Sequence, residues 1–302
     1  MKYHVENEFE IESQIEIADV KKLEIDILRT FVAFCNEHGL KYFLAGGTLI
    51  GAARHNGFVP WDDDMDVSMP RPDFERFREL TKNGTLGRYE IRSISLTPDV
   101  YARPFDRIVD PRYMTRVKVD QVYISPWLDV HALDGLPTDE KEDRAHWVKA
   151  RWNKRFSRWT RTRFCDEKSK IKGLLKRLVF WPVYLRGPHH YANELTKLAK
   201  TYDFYESEYI AAFVAGYGHK ERMPRYYFTD GEEKMWFEGI LCSVPPHWDL
   251  ELAHMYKNYN RLPPKKKRVV HMVRAWKLKT PLNRFLDLIE EKDESAKSGE
   301  DA

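Results

Sequence analysis

Residues 44–69 read LAGGTLIGAARHNGFVPWDDDMDVSM, and the fold follows from how this stretch is divided. Lys41–Leu44 (KYFL) is a short apolar and aromatic run suited to a strand. Ala45-Gly46-Gly47-Thr48 then opens into LIGAARH, whose alanines and leucine suit a short helix. Two glycines let main-chain N–H groups come close to a ligand, and a helix N-terminus favours an anion. Thr48 is placed either to cap the helix or to donate to an anionic oxygen. Taken alone, such a turn is also an ordinary strand-to-helix connection.

The second half, Trp61-Asp62-Asp63-Asp64-Met65-Asp66-Val67, changes that reading. Alternation along a strand puts Asp62, Asp64 and Asp66 on one face and Asp63, Met65 and Val67 on the other. Three converging carboxylates repel one another or hold protons unless a cation lies among them. Oxygen donors with no Cys nearby point to Mg²⁺ or Mn²⁺ rather than zinc. A solvated acidic turn is the bland alternative. The apolar flank of Val59-Pro60-Trp61, Met65, Val67 and Met69, residue types that seek burial, argues against it.

Residues 46–77, GGTLIGAARHNGFVPWDDDMDVSMPRPDFERF, resemble the signature of the LicD family of phosphotransferases. These are relatives of the fukutin-type enzymes within the nucleotidyltransferase, or polymerase-beta-like, superfamily. The resemblance implies an α+β fold: a nucleotidyltransferase-type mixed sheet with flanking helices, here carrying a helical basic insertion. It implies that Asp64 and Asp66 hold metal and that a third carboxylate comes from a later strand, at Asp129. Gly46, Gly47, Thr48, Arg54, Trp61, Asp62 and Arg107 form the substrate-binding set on this reading. The implied donor is a nucleotide-activated alcohol such as CDP-choline. The implied acceptor is a sugar hydroxyl of a cell-surface glycan or teichoic acid precursor, lipid-linked precursors included. Phosphoryl transfer asks little covalent chemistry of the protein beyond positioning and charge neutralisation.

Outward from this stretch, Ile17–His38 carries Val20, Leu23, Ile27, Phe31 and Phe34 at three- and four-residue steps, a helix that Gly39 is placed to end. A second helix is expected over 71–82, with Pro72 in its first turn and Phe74, Phe77 and Leu80 inward. Strands are expected at 89–93, 101–109 and 123–136. Arg107 lies among apolar neighbours in the second of these, equally suited to a structural ion pair or a phosphate contact. Asp129 lies within a run of Ile, Trp, Leu and Val, where a buried carboxylate needs a reason. Asp134 precedes Gly135 and reads as turn chemistry. Trp61 suits either stacking on a base or quaternary ammonium, or a buried anchor.

Between Arg144 and Arg186 fourteen Lys and Arg face only Asp166 and Glu167, a local excess of twelve in a chain whose net charge is +3. Leu174–Leu185 (LLKRLVFWPVYL) lies inside this run. It is too short to span a bilayer, but its aromatic residues beside Lys and Arg suit an interface. A solvated helical insert, a surface for anionic lipid and a nucleic-acid surface all fit, and no nucleic-acid module is recognisable, so no nucleic-acid partner is expected. Glycines at 216 and 218 mark a loop in which His219 or Lys220 is an ordinary surface residue or a phosphate contact. Met235–Val244 reads as a strand and Trp248–Tyr259 as a helix. The FEG, strand, proline, helix and LPP order of this end is also similar to the LicD family, although Tyr256-Lys257-Asn258-Tyr259 departs from the Tyr-Gly pair common there.

The 302 residues, 42% apolar and 14% aromatic, suit a packed core. The expected organisation is a core at 1–137, a basic helical insertion at 138–203, the rest of the core at 204–285 and a disordered tail at 286–302. MKYHVENEFEIESQ shows no leader pattern, and Cys35, Cys165 and Cys242 are odd in number and far apart, which fits the cytoplasm, with peripheral contact at the inner membrane face. Two other functions stay open: a glycosyltransferase that binds a nucleotide-sugar through an Asp-x-Asp strand end, against which the early GGT turn argues, and a non-catalytic binding module, against which the complete carboxylate set argues.

Overall fold

The structure, a computed structural model, describes residues 10–97, 101–117, 122–161, 170–215, 217–264, 268, 270, 272–282 and 289–290. Its organising strand is β9 (Trp127–Leu136), which pairs in parallel with β3 (Asp66–Pro70) on one edge. Its other edge pairs antiparallel with β6 (Asp106–Val109), while β10 (Tyr209–Ala211) lies across β9 from β6 and pairs antiparallel with the last three residues of β9. β2 (Phe43–Leu44), β4 (Thr85–Leu86), β5 (Tyr89–Arg92) and β11 (Met223–Pro224) complete this mixed sheet. A second sheet runs in the order β1 (Ile11–Ile15), β14 (Met272–Leu278), β7 (Tyr113–Val117), β8 (Val122–Ile124) and β15 (Ile289–Glu290). β12 (Glu233–Phe237) and β13 (Ile240–Val244) form a separate hairpin. With the helices that flank these sheets, the fold is α+β.

The period of two along β9 decides what lies on each side. Leu128, Val130 and Ala132 join the main core, together with Val67 and Met69 of β3. That core is closed by α1 (Ile17–His38) and α3 (Arg71–Leu80), whose Phe31, Phe74 and Phe77 are fully buried. Each such ring contributes about 1.5–3 kcal/mol by burial. Phe31 also meets Phe77 edge-on at 5.7 Å, an arrangement the ring quadrupoles favour. Gly39 ends α1 at φ 61°, where a Cβ would be strained.

Asp134 is no turn residue: it lies inside β9, fully buried on the α3 side, and binds Arg71 Nε and Nη2 at 2.6 and 2.9 Å. Arg78 of α3 grips Asp106 of β6 in the same two-pronged way, at 2.8 and 2.6 Å. These fork-shaped pairs fix the helix to the sheet and supply the countercharges that burial demands. The dipeptide signal failed here because the β9 backbone continues straight through Asp-Gly, and Gly135 is needed for another reason. A Cβ there would collide with the carbonyl of Asp203.

Met235–Val244 is two strands rather than one, joined through Glu238 and Gly239 at φ 48° and 75°. Glu238 then binds back to the loop after α2 (Gly46–His55). Its N–H donates to Asn56 O at 2.9 Å, and its Oε1 accepts from Phe58 N–H at 3.1 Å.

Residues 140–161 and 170–199 form two helices packed side by side, α4 (Glu140–Arg161) and α5 (Lys170–Ala199), the second broken at Gly187 just before Pro188. Trp159 packs on Phe180 at 4.3 Å and Phe156 on Tyr191 at 5.2 Å. Trp147, Ala150, Leu195 and Ala199 dock the pair onto Leu136, Ala211 and Phe213. Leu178, Val179, Trp181 and Leu185 remain exposed at 63, 69, 58 and 69%. No helix among the described residues is long and apolar enough to cross a membrane. Cys35 and Cys242 are free and buried, while Cys165 lies outside the described residues. Of the 286–302 tail, only Ile289 and Glu290 are described. The short helices α6 (Tyr226–Thr229) and α7 (Trp248–Tyr256) lie beside the sheet, α7 stopping three residues short of the expected Tyr259.

Candidate active site

The site is assembled where β3, β9 and the start of α2 meet. α2 begins at the glycines themselves, with Gly46 at φ 55° and Ala45 as N-cap. Thr48 does not cap it. Its buried Oγ1 accepts the backbone N–H of Asp66 at 2.9 Å, which joins the helix start to the first residue of β3. Gly47 is needed for space and Gly46 for its left-handed backbone. A Cβ on Gly47 would collide with the Asp62 carboxylate, and one on Gly46 would sit 3.5 Å from Asp66 Oδ2 and 3.8 Å from the Tyr256 hydroxyl. Gly46, Gly47, Asp62 and Asp66 therefore share one small volume.

The acidic run is not regular strand throughout; β3 starts only at Asp66. Asp62 N–H turns back to Val59 O at 2.9 Å, and Asp63 Oδ2 accepts the N–H of Met272 at 2.6 Å. The expected alternation survives in burial, since Asp63, Met65 and Val67 are inside while Asp62, Asp64 and Asp66 are half-exposed.

Parallel pairing sets Asp66 directly opposite Asp129. His131, two residues along β9, shares their face, and its Nε2 lies 3.3 Å from Asp66 Oδ1. One ligand atom from each of Asp66, Asp129 and His131 falls within 4.8 Å of the others, a spacing that suits a shared cation. Asp64 is outside this trio. Its charge is nonetheless felt by Tyr217 and by Glu24 of α1. Burial pushes the Glu24 carboxyl well above the usual range, with Asp64 and Asp63 adding to the shift.

Both Asp129 oxygens accept from Arg107, from Nε at 2.6 Å and Nη2 at 2.7 Å. Arg107 is buried, faces Asp129 across the β6–β9 pairing, and lies over the Trp127 ring at 4.7 Å. Of its two readings the ion pair is the one the structure displays. His131 experiences opposed influences: burial acts to lower its pKa, but the hydrogen bond and charge of Asp66, then Asp129 and Glu221, raise it overall. Arg54, near the end of α2, is not among the residues lining the site and donates to Tyr259 O at 3.1 Å. The Trp61 ring is covered by the Arg268 guanidinium at 4.2 Å.

Beside Asp66 and His131 opens a cavity of about 160 Å³, also lined by Gly46, Tyr217, Glu221, Glu251 and Tyr256. None of the last four was singled out from sequence. His131 was within reach of sequence reasoning, because a step of two from Asp129 along a strand keeps the same face. Glu221 and Glu251 carry no comparable signal, the first ending a short 3-10 helix and the second lying beside Asp249 in the first turn of α7. His219, in the glycine loop, instead binds Asp143 of α4 at 2.7 Å.

Residues 39–158 match the LicD/FKTN/FKRP nucleotidyltransferase domain. The chain is similar to the lipopolysaccharide cholinephosphotransferase LicD of Haemophilus influenzae, 29% identical over 257 residues, covering 82% of this chain and 93% of the relative. It is also similar to the ribitol 5-phosphate transferase FKRP of Mus musculus and Homo sapiens. There the identity is 38% over 52 residues, 17% of this chain and 10% of the relative.

Proposed function

We propose that this transferase, whose residues 39–158 match the LicD/FKTN/FKRP nucleotidyltransferase domain, moves a phospho-alcohol group, phosphocholine-like, from a nucleotide-activated donor such as CDP-choline to a sugar hydroxyl of a cell-surface glycan or teichoic acid precursor. The observation that carries this reading is the meeting of Asp66, Asp129 and His131 next to the Gly46-Gly47 helix start. It supplies carboxylates for cations and a backbone end for phosphate in one place.

Asp66 and Asp129 fit a divalent ion, Mg²⁺ or Mn²⁺, with Asp64 or His131 as further donors. Such an ion neutralises charge on the phosphoryl oxygens. The rest belongs to the chain. The first N–H groups of α2 face the donor phosphates, and Thr48 holds Asp66 in register with them. Arg107 fixes the plane of Asp129, which takes up the proton of the acceptor hydroxyl as the acceptor oxygen bonds to phosphorus. The bond to the bridging oxygen then breaks and the nucleoside monophosphate departs. An acceptor carried on lipid places the enzyme at the inner membrane face, where the basic, apolar-tipped helices α4 and α5 supply the contact.

The test is release of CMP by purified protein from a panel of CDP-alcohols with glycan acceptors. Turnover is expected with Mg²⁺ or Mn²⁺ and none in excess EDTA. Asp66→Ala is expected to abolish transfer and weaken Mn²⁺ binding in a folded protein. Full activity in EDTA overturns the metal assignment, and turnover with nucleotide-sugars alone overturns the reaction.

A further inference from the structure

We propose that the cavity beside Asp66 and His131 is a subsite for a positively charged alkylammonium head, with the Glu251 carboxylate as its countercharge and the Tyr217 and Tyr256 rings as its walls. This rests on the preceding reading and adds which side chains select a cationic alcohol over a neutral one.

The argument begins with Glu251 on α7. It is 7% exposed, it lines the cavity, and its Oε2 is buried with no hydrogen-bond partner among the described residues. A buried carboxylate without a donor or countercharge is costly, and it persists where a ligand completes it. Glu221, the neighbouring acid, is already served: Tyr217 N–H donates to its Oε1 at 3.1 Å, and the Lys154 charge lies close by. Lys154 itself donates to Ala215 O, at the cavity edge. The unmet demand is therefore at Glu251.

Much of the lining suits N-methyl groups: Phe228, Met223, Met255, Leu133 and Ala212 are apolar and offer a sugar-like chain no hydrogen bond, and the polar groups beside them include the Glu221 and Glu251 carboxylates. Tyr217 and Tyr256 stand edge to face at 6.5 Å, which presents ring surface to a cation. Aromatic faces, thioethers and a desolvated carboxylate are what N-methyl groups prefer. Position matches as well, for the Tyr256 hydroxyl lies at the Gly46 turn and Glu251 lines the same cavity. A head group bound at Glu251 leaves its phosphate at the helix start beside Asp66. The cavity, about 160 Å³, admits a trimethylammonium group.

Calorimetric titration of the full chain with choline, and with its neutral carbon isostere 3,3-dimethylbutan-1-ol, tests the site without turnover. Choline is expected to bind at least about tenfold more tightly than the isostere. Glu251→Gln is expected to lose about that factor, as is Tyr256→Leu, while Tyr256→Phe keeps most of it. Equal binding of the two probes, or choline binding indifferent to both Glu251→Gln and Tyr256→Leu, overturns the proposal. Should choline discriminate in this way while no CDP-alcohol is turned over, the subsite stands and the phosphotransfer reading falls. Should the enzyme turn over a CDP-polyol as well as CDP-choline, with Glu251→Gln affecting neither KM, the transfer reading stands and the subsite falls.

Discussion

Asp129 cannot be understood apart from Arg107. From sequence alone Asp129→Asn preserves shape and removes a charge, so only turnover should suffer. In the structure the same change takes the countercharge from a buried guanidinium and turns one of the two oxygens it binds into an NH2 donor. Asp129→Asn is therefore expected to cost about 3–5 kcal/mol in urea denaturation in addition to orders of magnitude in kcat. The double change Arg107→Met with Asp129→Asn should recover much of the stability and none of the activity, because the uncompensated charge is gone while the site still lacks its carboxylate. Glu251 gives a second expectation, for the ligand-free protein. Burial, with Glu221 adding, pushes its carboxyl from 4.5 up to about 8. Between those values the folded chain keeps a proton that the unfolded chain releases, so stability falls as pH rises through this window. The Tm advantage of Glu251→Gln over the native protein should be small near pH 5 and grow toward about pH 8; an advantage independent of pH would show the acid to be compensated. The acidic run was legible because four Asp in five residues have few uses. Arg107 was legible only as a cation in need of a partner, since pairing across strands is not written in either strand alone.

β9 carries two separable sets of residues on its two faces. Asp129 and His131 face the site, whereas Asp134 faces α3 and Arg71. Asp134→Asn should accordingly destabilise by about 3–5 kcal/mol while leaving kcat and KM of the folded fraction near native values. A kinetic loss without a stability loss would place Asp134 in the catalytic machinery. The helices α1 and α3 and the strands β3, β5 and β9 were legible in outline, because periodicity and caps are local signals. What was not legible came from contacts distant in sequence. The hairpin β12–β13 is invisible as long as Glu238 counts as one more strand residue, and its left-handed conformation is tolerated through its hold on Asn56 and Phe58. Thr48 likewise looked like a cap because its actual partner, the Asp66 N–H, lies eighteen residues on.

For the molecule as a whole, the concentration of positive charge between Arg144 and Arg186 coincides with the helices that leave Leu178, Val179, Trp181 and Leu185 exposed. Each Lys or Arg near an anionic surface adds about 1 kcal/mol, and apolar side chains add insertion. Sedimentation with phosphatidylserine-containing vesicles should show binding at low salt that fades as salt is raised. Replacing Lys172, Lys176 and Arg177 with Glu, or Trp181 and Leu185 with Ser, should weaken it; Phe180 is best left intact because it packs on Trp159. Vesicles that bring down no protein at low salt would leave these helices as solvated structure. The same helices have a consequence during synthesis. β9 is complete at Leu136, but the strand that covers its far end, β10, begins only at Tyr209. In between the ribosome delivers α4 and α5, whose Trp147 and Leu195 rest on Leu136. An exposed strand end invites pairing with a neighbouring nascent chain. The two helices thus reach β9 first and act as its escort until β10 arrives, so a chain from which they are deleted should aggregate on the polysome even if its finished fold could do without them.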